Sequence, residues 1–243
     1  MYSTAVMAML VAAFAANPTL ALPEAQGWKH HSRDAGGRFD VYLSTDMVSV
    51  GASSPHYAYQ QAYRFCERSA CVPGNSYTYD VTIYTSGGTY AQQEQGKLTV
   101  KADGDYDNAW GEWDWKERNG LVIEAIAAAG DAAAKVDKVQ TQSGPGLSGP
   151  ECEKNPAACK GPKFKTTNYW SCPSQVKAVM LDIEGKEKGQ ITVSLSLDAP
   201  KFDLGALLCN DVKPLVDKAL GTVENAYGEA IGKIGDIACN IFG

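Results

Sequence analysis

The chain has 243 residues, 44% hydrophobic and 21% charged, a composition that excludes a disordered or fibrous polypeptide. Lysine and arginine number 22 against 28 aspartates and glutamates, and the net charge of -6 argues against a general nucleic-acid binder. The length admits one large domain or two small ones, each with a real core.

Residues 5–16, AVMAMLVAAFAA, are apolar throughout. As a helix they would reach only about 18 Å, short of a bilayer core of roughly 30 Å. Thr19-Leu20-Ala21 follows, with small residues where a signal peptidase needs them. Residues 1–21 therefore read as a cleaved signal peptide, and the mature protein is expected to be secreted, with no membrane span.

Residues 22–141 read as an α+β region. Residues 39–44 alternate as a strand, and residues 54–66 suit a helix with Pro55 at its first position. Residues 76–85, SYTYDVTIYT, give the clearest strand pattern. Residues 97–101 and the apolar run 121–126 predict two further strands, and the Ala-rich stretch 127–139 a helix. Residues 142–150, QSGPGLSGP, are rich in turn formers and read as a linker. In residues 151–243, segments 175–184 and 190–197 predict a hairpin turned at residues 185–189. A pair of amphipathic helices is then expected from Leu207, Leu208, Val212, Leu215, Val216, Leu220, Val223, Ile231, Ile234 and Ile237, broken near Tyr227-Gly228.

Secretion favours disulfides. Cys66 and Cys71 lie close together and are expected to pair. Cys152, Cys159, Cys172, Cys209 and Cys239 leave two bridges and one unpaired thiol, or an intermolecular link through the odd cysteine. No metal site is expected: there is no CxxC pair, and His30, His31 and His56 lie far from the C-terminal cysteines. Asp103, Asp105 and Asp107 alternate as calcium ligands would, but the twelfth position of such a loop holds Asp114 instead of a bidentate Glu.

Three patterns occur in a suggestive order. A strand ends in Ser44-Thr45, an aromatic strand follows at residues 76–83, and Glu112-Trp-Asp114 leads to Gly120-Leu121 and Ile126. Together they resemble the enterotoxin-A-like mono-ADP-ribosyltransferases, the family of the cholera toxin and heat-labile enterotoxin A chains, which has a secreted fungal branch. The resemblance implies a split β core, here joined to a disulfide-linked C-terminal hairpin-plus-helix region. It also implies NAD as cofactor and a protein target, with Asp114 as the catalytic carboxylate and Glu112 assisting the acceptor. Ser44 and Thr45 would hold the carboxylate and ribose in register, while Arg33 or Arg38, with Ser44, would bind NAD. A carboxylate beside the ribose stabilises an oxocarbenium-like transition state by preorganised charge.

This chain departs from the family at three points. Asp114 stands where the family has Glu, and its carboxylate is set back by about 1–1.5 Å, enough to cost orders of magnitude in rate. Asp46 replaces the third residue of Ser-Thr-Ser, and Arg33 and Arg38 lie only 11 and 6 residues before Ser44. All three weaken one site. The expectation is accordingly a secreted effector or toxin-like pseudoenzyme that binds a target protein, with an active NAD-dependent transferase as the alternative. Trp110, Trp113 and Trp115 around Glu112 and Asp114 supply a third reading, a secreted carbohydrate binder.

Overall fold

The computed structural model describes residues 38–66, 70–87, 90–105, 115–142, 164–182, 184–199, 209–227 and 234–239. The fold is mixed α+β and mostly sheet. β1 (Arg38–Leu43) and β2 (Met47–Gly51) lead into α1 (Pro55–Gln60), a 3-10 turn (Gln61–Arg64) and the short β3 (Ala70–Cys71). β4 (Ser76–Gly87) and β5 (Tyr90–Asp105) pair antiparallel along the whole of β4. α2 (Trp115–Ala132) is followed by β6 (Lys135–Gln142), β7 (Phe164–Pro173), β8 (Gln175–Leu181) and β9 (Glu187–Asp198). α3 (Cys209–Tyr227) and β10 (Ile234–Cys239) come last.

The sheet runs β10-β1-β8-β9-β5-β6-β7-β2, with β3 and β4 also paired to β5. β1 lies between β8 and β10, and β5 is flanked by β4 and β9. The turn-rich residues 142–150 thus separate two stretches of sequence but not two sheets. Gln142 itself ends β6, and residues 143–150 lie outside the described residues.

One bend shapes the sheet. β7 and β8 are a single run interrupted only at Ser174, and β1 and β2 pair with them antiparallel on either side of residues 44–46. The two runs turn together, a way in which strands pass from one sheet direction to another. The end of β2 then meets β4, where Ala52 N–H donates to Thr82 O at 2.9 Å. Gly51 makes this approach possible. It has φ +63°, and a Cβ there would lie 2.3 Å from Thr82 O.

The hairpin strands follow the sequence because alternation is a local signal. Tyr77, Tyr79, Val81 and Ile83 of β4 face the core, with Thr78, Asp80 and Thr82 between them facing out. β8 and β9 form the expected hairpin. The strand expected at residues 97–101 is the central part of β5, and α1 stops at Gln60 before the 3-10 turn. β6 and β7 were not anticipated.

Two helix expectations are corrected. Residues 121–126 are the middle of α2 and not a strand, and helix persists beyond them only to Ala132. Leu121, Val122, Ile123, Ala125, Ile126, Ala127 and Ala129 are all buried, since α2 packs against α1, α3 and the sheet. A helix covered on all sides shows no amphipathic period, and a short apolar run then reads like a buried strand. The C-terminal helix pair is also corrected: α3 buries Val212, Val216 and Leu220, but Ile234 and Ile237 lie on β10, parallel to β1. Gly235 disfavours helix there, and pairing with β1 decides the outcome.

Cys66 and Cys71 form the expected disulfide. Cys172, counted above among the disulfide candidates, is instead a free thiol with no exposed surface, so it is not placed to link two chains. Burial pushes its pKa up to about 12, against the opposing influence of the neighbouring Tyr59 hydroxyl, and leaves it uncharged. Cys239 is disulfide-bonded. Cys152 and Cys159 lie outside the described residues, as does the side chain of Cys209.

Tyr59 of α1 is fully buried, its ring fills the space over Gly130 of α2, and its hydroxyl donates to Pro173 O. A Cβ at Gly130 would lie 2.1 Å from that ring. Gly130→Ala is therefore expected to lower stability by about 1–3 kcal/mol in urea unfolding, the usual cost of overpacking a core. An unchanged midpoint would contradict this packing.

Candidate functional site

The residues implied by the resemblance do not assemble into one site among the described residues. Arg33, Glu112 and Asp114 lie outside those residues. Arg38 opens β1 and Ser44 follows its end, and six residues of extended strand put about 20 Å between them. The stretch from Gly120 to Ile126, which should continue the spacing as a strand, is helical.

Ser44 sits at the sheet bend. Its hydroxyl donates to Asp46 O at 3.0 Å, accepts from Gln175 N–H at 3.0 Å, and meets Ser174 Oγ at 3.1 Å. A serine hydroxyl offers one donor and two acceptor sites, so this network uses all of them. Its backbone N–H is also engaged, with Gln175 O. Thr45 is half-buried and Asp46 exposed beside it. Ser44, which suggested a ribose contact, closes a corner of the sheet.

Asp103 and Asp105 are exposed on β5, paired to Thr192 and Gln190 of β9. Among the described residues no group of three or more His, Cys, Asp or Glu side chains gathers to hold a metal. No helix among them is long and apolar enough to cross a membrane.

A different cluster forms where α1 and the 3-10 turn cross α2. Glu124 is a lone carboxylate in the apolar run LVIEAIAAA and is only 7% exposed. Three side chains from one segment converge on it. His56 Nε2 lies 3.2 Å from Oε2, while Gln60 Nε2 donates to Oε1 at 2.6 Å and Tyr63 Oη at 3.3 Å. Tyr63 shares that single O–H with Gly120 O, the nearer acceptor at 2.9 Å. Positions 56, 60 and 63 share one helical face, so a single stripe delivers all three donors. At the first turn of α1, His56 N–H donates to Asp131 Oδ1 at 3.3 Å.

Burial alone would lower the pKa of His56, but the hydrogen bond and charge of Glu124, aided by Asp131, raise it above 6.5. Burial would likewise raise Glu124, yet His56, Gln60 and Tyr63 hold it below 4.5. Asp131 is pushed above 3.8 by burial, against the pull of His56. The His56–Glu124 pair is therefore ionised in mildly acidic medium.

The adjoining face of the same segment is aromatic. Tyr57 is 42% exposed and meets Tyr79 edge-on, with centroids 6.0 Å apart. Tyr77 and Tyr79 stack at 5.5 Å, and the Arg64 guanidinium lies 4.1 Å over the Tyr77 ring. Arg64 Nε donates to Gln61 Oε1 at 2.8 Å, and Gln61 is itself buried and bonded to Tyr57 O. An arginine is thus held against a ring, and neighbouring tyrosines extend the surface. Burial raises the Tyr79 pKa to about 12, so its hydroxyl stays protonated.

No family model, no curated protein and no solved structure matches this chain.

Sequence reasoning missed this cluster because its halves lie far apart: Gln60 and Glu124 are 64 positions apart. One signal was available. A carboxylate stranded in an apolar run is costly to bury and demands a partner.

Ser44→Ala would leave the half-buried Gln175 N–H without its side-chain acceptor. It is expected to cost about 1–3 kcal/mol of stability by denaturant titration. An unaffected midpoint would argue against the structural role.

Proposed function

We propose that this is a secreted protein that works by binding a partner protein through the Tyr57–Arg64–Tyr77–Tyr79 face, and not by transferring ADP-ribose. The observation that carries the reading is an exposed arginine held over the half-buried Tyr77 ring, with the exposed Tyr57 beside it against Tyr79. Tyrosine and arginine are the side chains most enriched among energetic anchors of protein interfaces. Their restraint by Gln61 and by ring contacts reduces the ordering cost of binding. Secretion rests on the apolar segment 5–16 and the small residues after it.

The pseudoenzyme form of the reading is supported by the substitution at Asp114 and by the commitment of Ser44 to the sheet bend. An ADP-ribosyltransferase ancestry would account for the order of the sequence patterns. NAD turnover would require Asp114, Glu112 and an arginine to meet a serine whose hydrogen-bonding capacity is already spent.

The test uses the mature chain carrying a photo-crosslinking residue at Tyr57 or, as a control, at the outward-facing Thr82. The probe mixture is the protein fraction onto which the chain is secreted. The expected result is a discrete protein adduct from position 57 only, abolished by Arg64→Glu. Parallel arms measure NAD hydrolysis and thermal stabilisation by oligosaccharides. NAD turnover lost in Asp114→Ala would overturn the reading in favour of the enzyme. A saturable sugar-induced shift without a protein adduct would overturn it in favour of a carbohydrate binder, and the absence of any adduct would end the docking proposal.

A further inference from the structure

The segment of residues 55–64 carries two things at once. One face holds His56, Gln60 and Tyr63 on Glu124, and the next presents Tyr57 and Arg64 to the aromatic pair of β4. His56 immediately precedes Tyr57, and Tyr63 immediately precedes Arg64. The two faces therefore share one short backbone segment.

We infer that the His56–Glu124 pair is a pH-operated latch on this segment, closed in mildly acidic medium and released as pH rises beyond neutrality. The geometry is that of a switch, because the histidine side chain is 26% exposed and the carboxylate side chain 9%. Protons can reach the imidazole, while the carboxylate has little water to replace a lost partner. Neutral His56 would still offer one hydrogen bond, but Glu124 would remain buried without a counter-charge.

The groups facing His56 set the direction. From α2 these are Glu124 and Asp131, both acidic, and from the 3-10 turn Tyr63 joins through Glu124. Behind them, Tyr59 and Cys172 of β7 lie near Asp131, and both have pKa values raised by burial, so neither titrates in the working range. His56 is raised, so its stabilising contribution is complete below 6.5 and is lost as pH climbs through its folded value. Glu124 is lowered, so its contribution is present above 4.5 and fades only under stronger acid. Asp131 is raised and acts in the same sense as His56, since folding penalises its ionised form. The latch is therefore tightest between about 4.5 and 6.5.

Control of the tyrosine–arginine face by this latch rests on the docking role proposed above, whereas the latch itself can be tested in the free chain. The first measurement is an NMR titration of the histidine ring protons in the intact mature protein, with His56 assigned by its disappearance in His56→Gln. The second is hydrogen exchange of the amides of residues 57–66 at pH 5.5 and 8.5, corrected for intrinsic rates, with α3 amides as the internal control. The expected result is a His56 midpoint above 6.5, returned toward that value by Glu124→Gln. Protection of residues 57–66 should fall roughly tenfold for each pH unit by which the midpoint exceeds the ordinary value, while α3 stays unchanged. Where Glu124→Gln fails to fold, His56→Gln should make protection of the segment independent of pH. A His56 midpoint at or below 6.5, or protection indifferent to pH in the native chain, would overturn the latch. Cross-linking at position 57 that persists equally at both pH values would separate docking from the latch and remove only the link between them.

Discussion

Glu124 is the constraint around which the helical side of this protein is arranged. A carboxylate in the middle of a buried helix costs several kcal/mol unless it is paired and hydrogen-bonded. Here every compensating side chain comes from one short segment, through His56, Gln60 and Tyr63. Meeting that requirement fixes the rotation of α1 about its axis. Rotation then decides the rest. Tyr59 is turned into the core over Gly130, and Tyr57 and Arg64 are turned outward to the rings of β4. The exposure of Tyr57 and Arg64 is thus a consequence of where a buried charge finds its partners.

The sheet side has its own fixed point at Ser44. The β1–β2 and β7–β8 runs bend together, and the hydroxyl joins Asp46, Ser174 and Gln175 across the bend. A serine at a strand end can orient a substrate or satisfy a corner. Sequence does not distinguish the two uses, because both require a small side chain with a donor and two acceptors. The structure assigns the hydrogen bonds to the corner.

What was legible in the sequence was what local periodicity encodes. Tyr77, Tyr79, Val81 and Ile83 alternate visibly, and the β8–β9 hairpin is bracketed by polar turn residues. What was not legible depended on distant contacts. Leu121 to Ile126 looks like a strand because surroundings on every side require apolar residues all round the helix. Ile234 and Ile237 recur at a helical spacing but are drawn into a parallel pairing with β1. Cys172 could be counted as unpaired only once its burial against Tyr59 was seen. The His56–Glu124 pair was hidden in a similar way: Glu124 stands out in its apolar run, but only the fold shows that His56 is the residue that answers it.

His56 and Glu124 stabilise the fold through each other, and a double-mutant cycle measures that coupling. Unfolding free energies of the native chain, His56→Gln, Glu124→Gln and the double variant would be compared at pH 5.5. The expected coupling energy is about 1 kcal/mol or more, within the range for residues in one hydrogen-bond and ion-pair network. That coupling should shrink at pH 8.5 as His56 loses its charge. Additive effects at pH 5.5, with no coupling, would mean that the two side chains stabilise the fold independently.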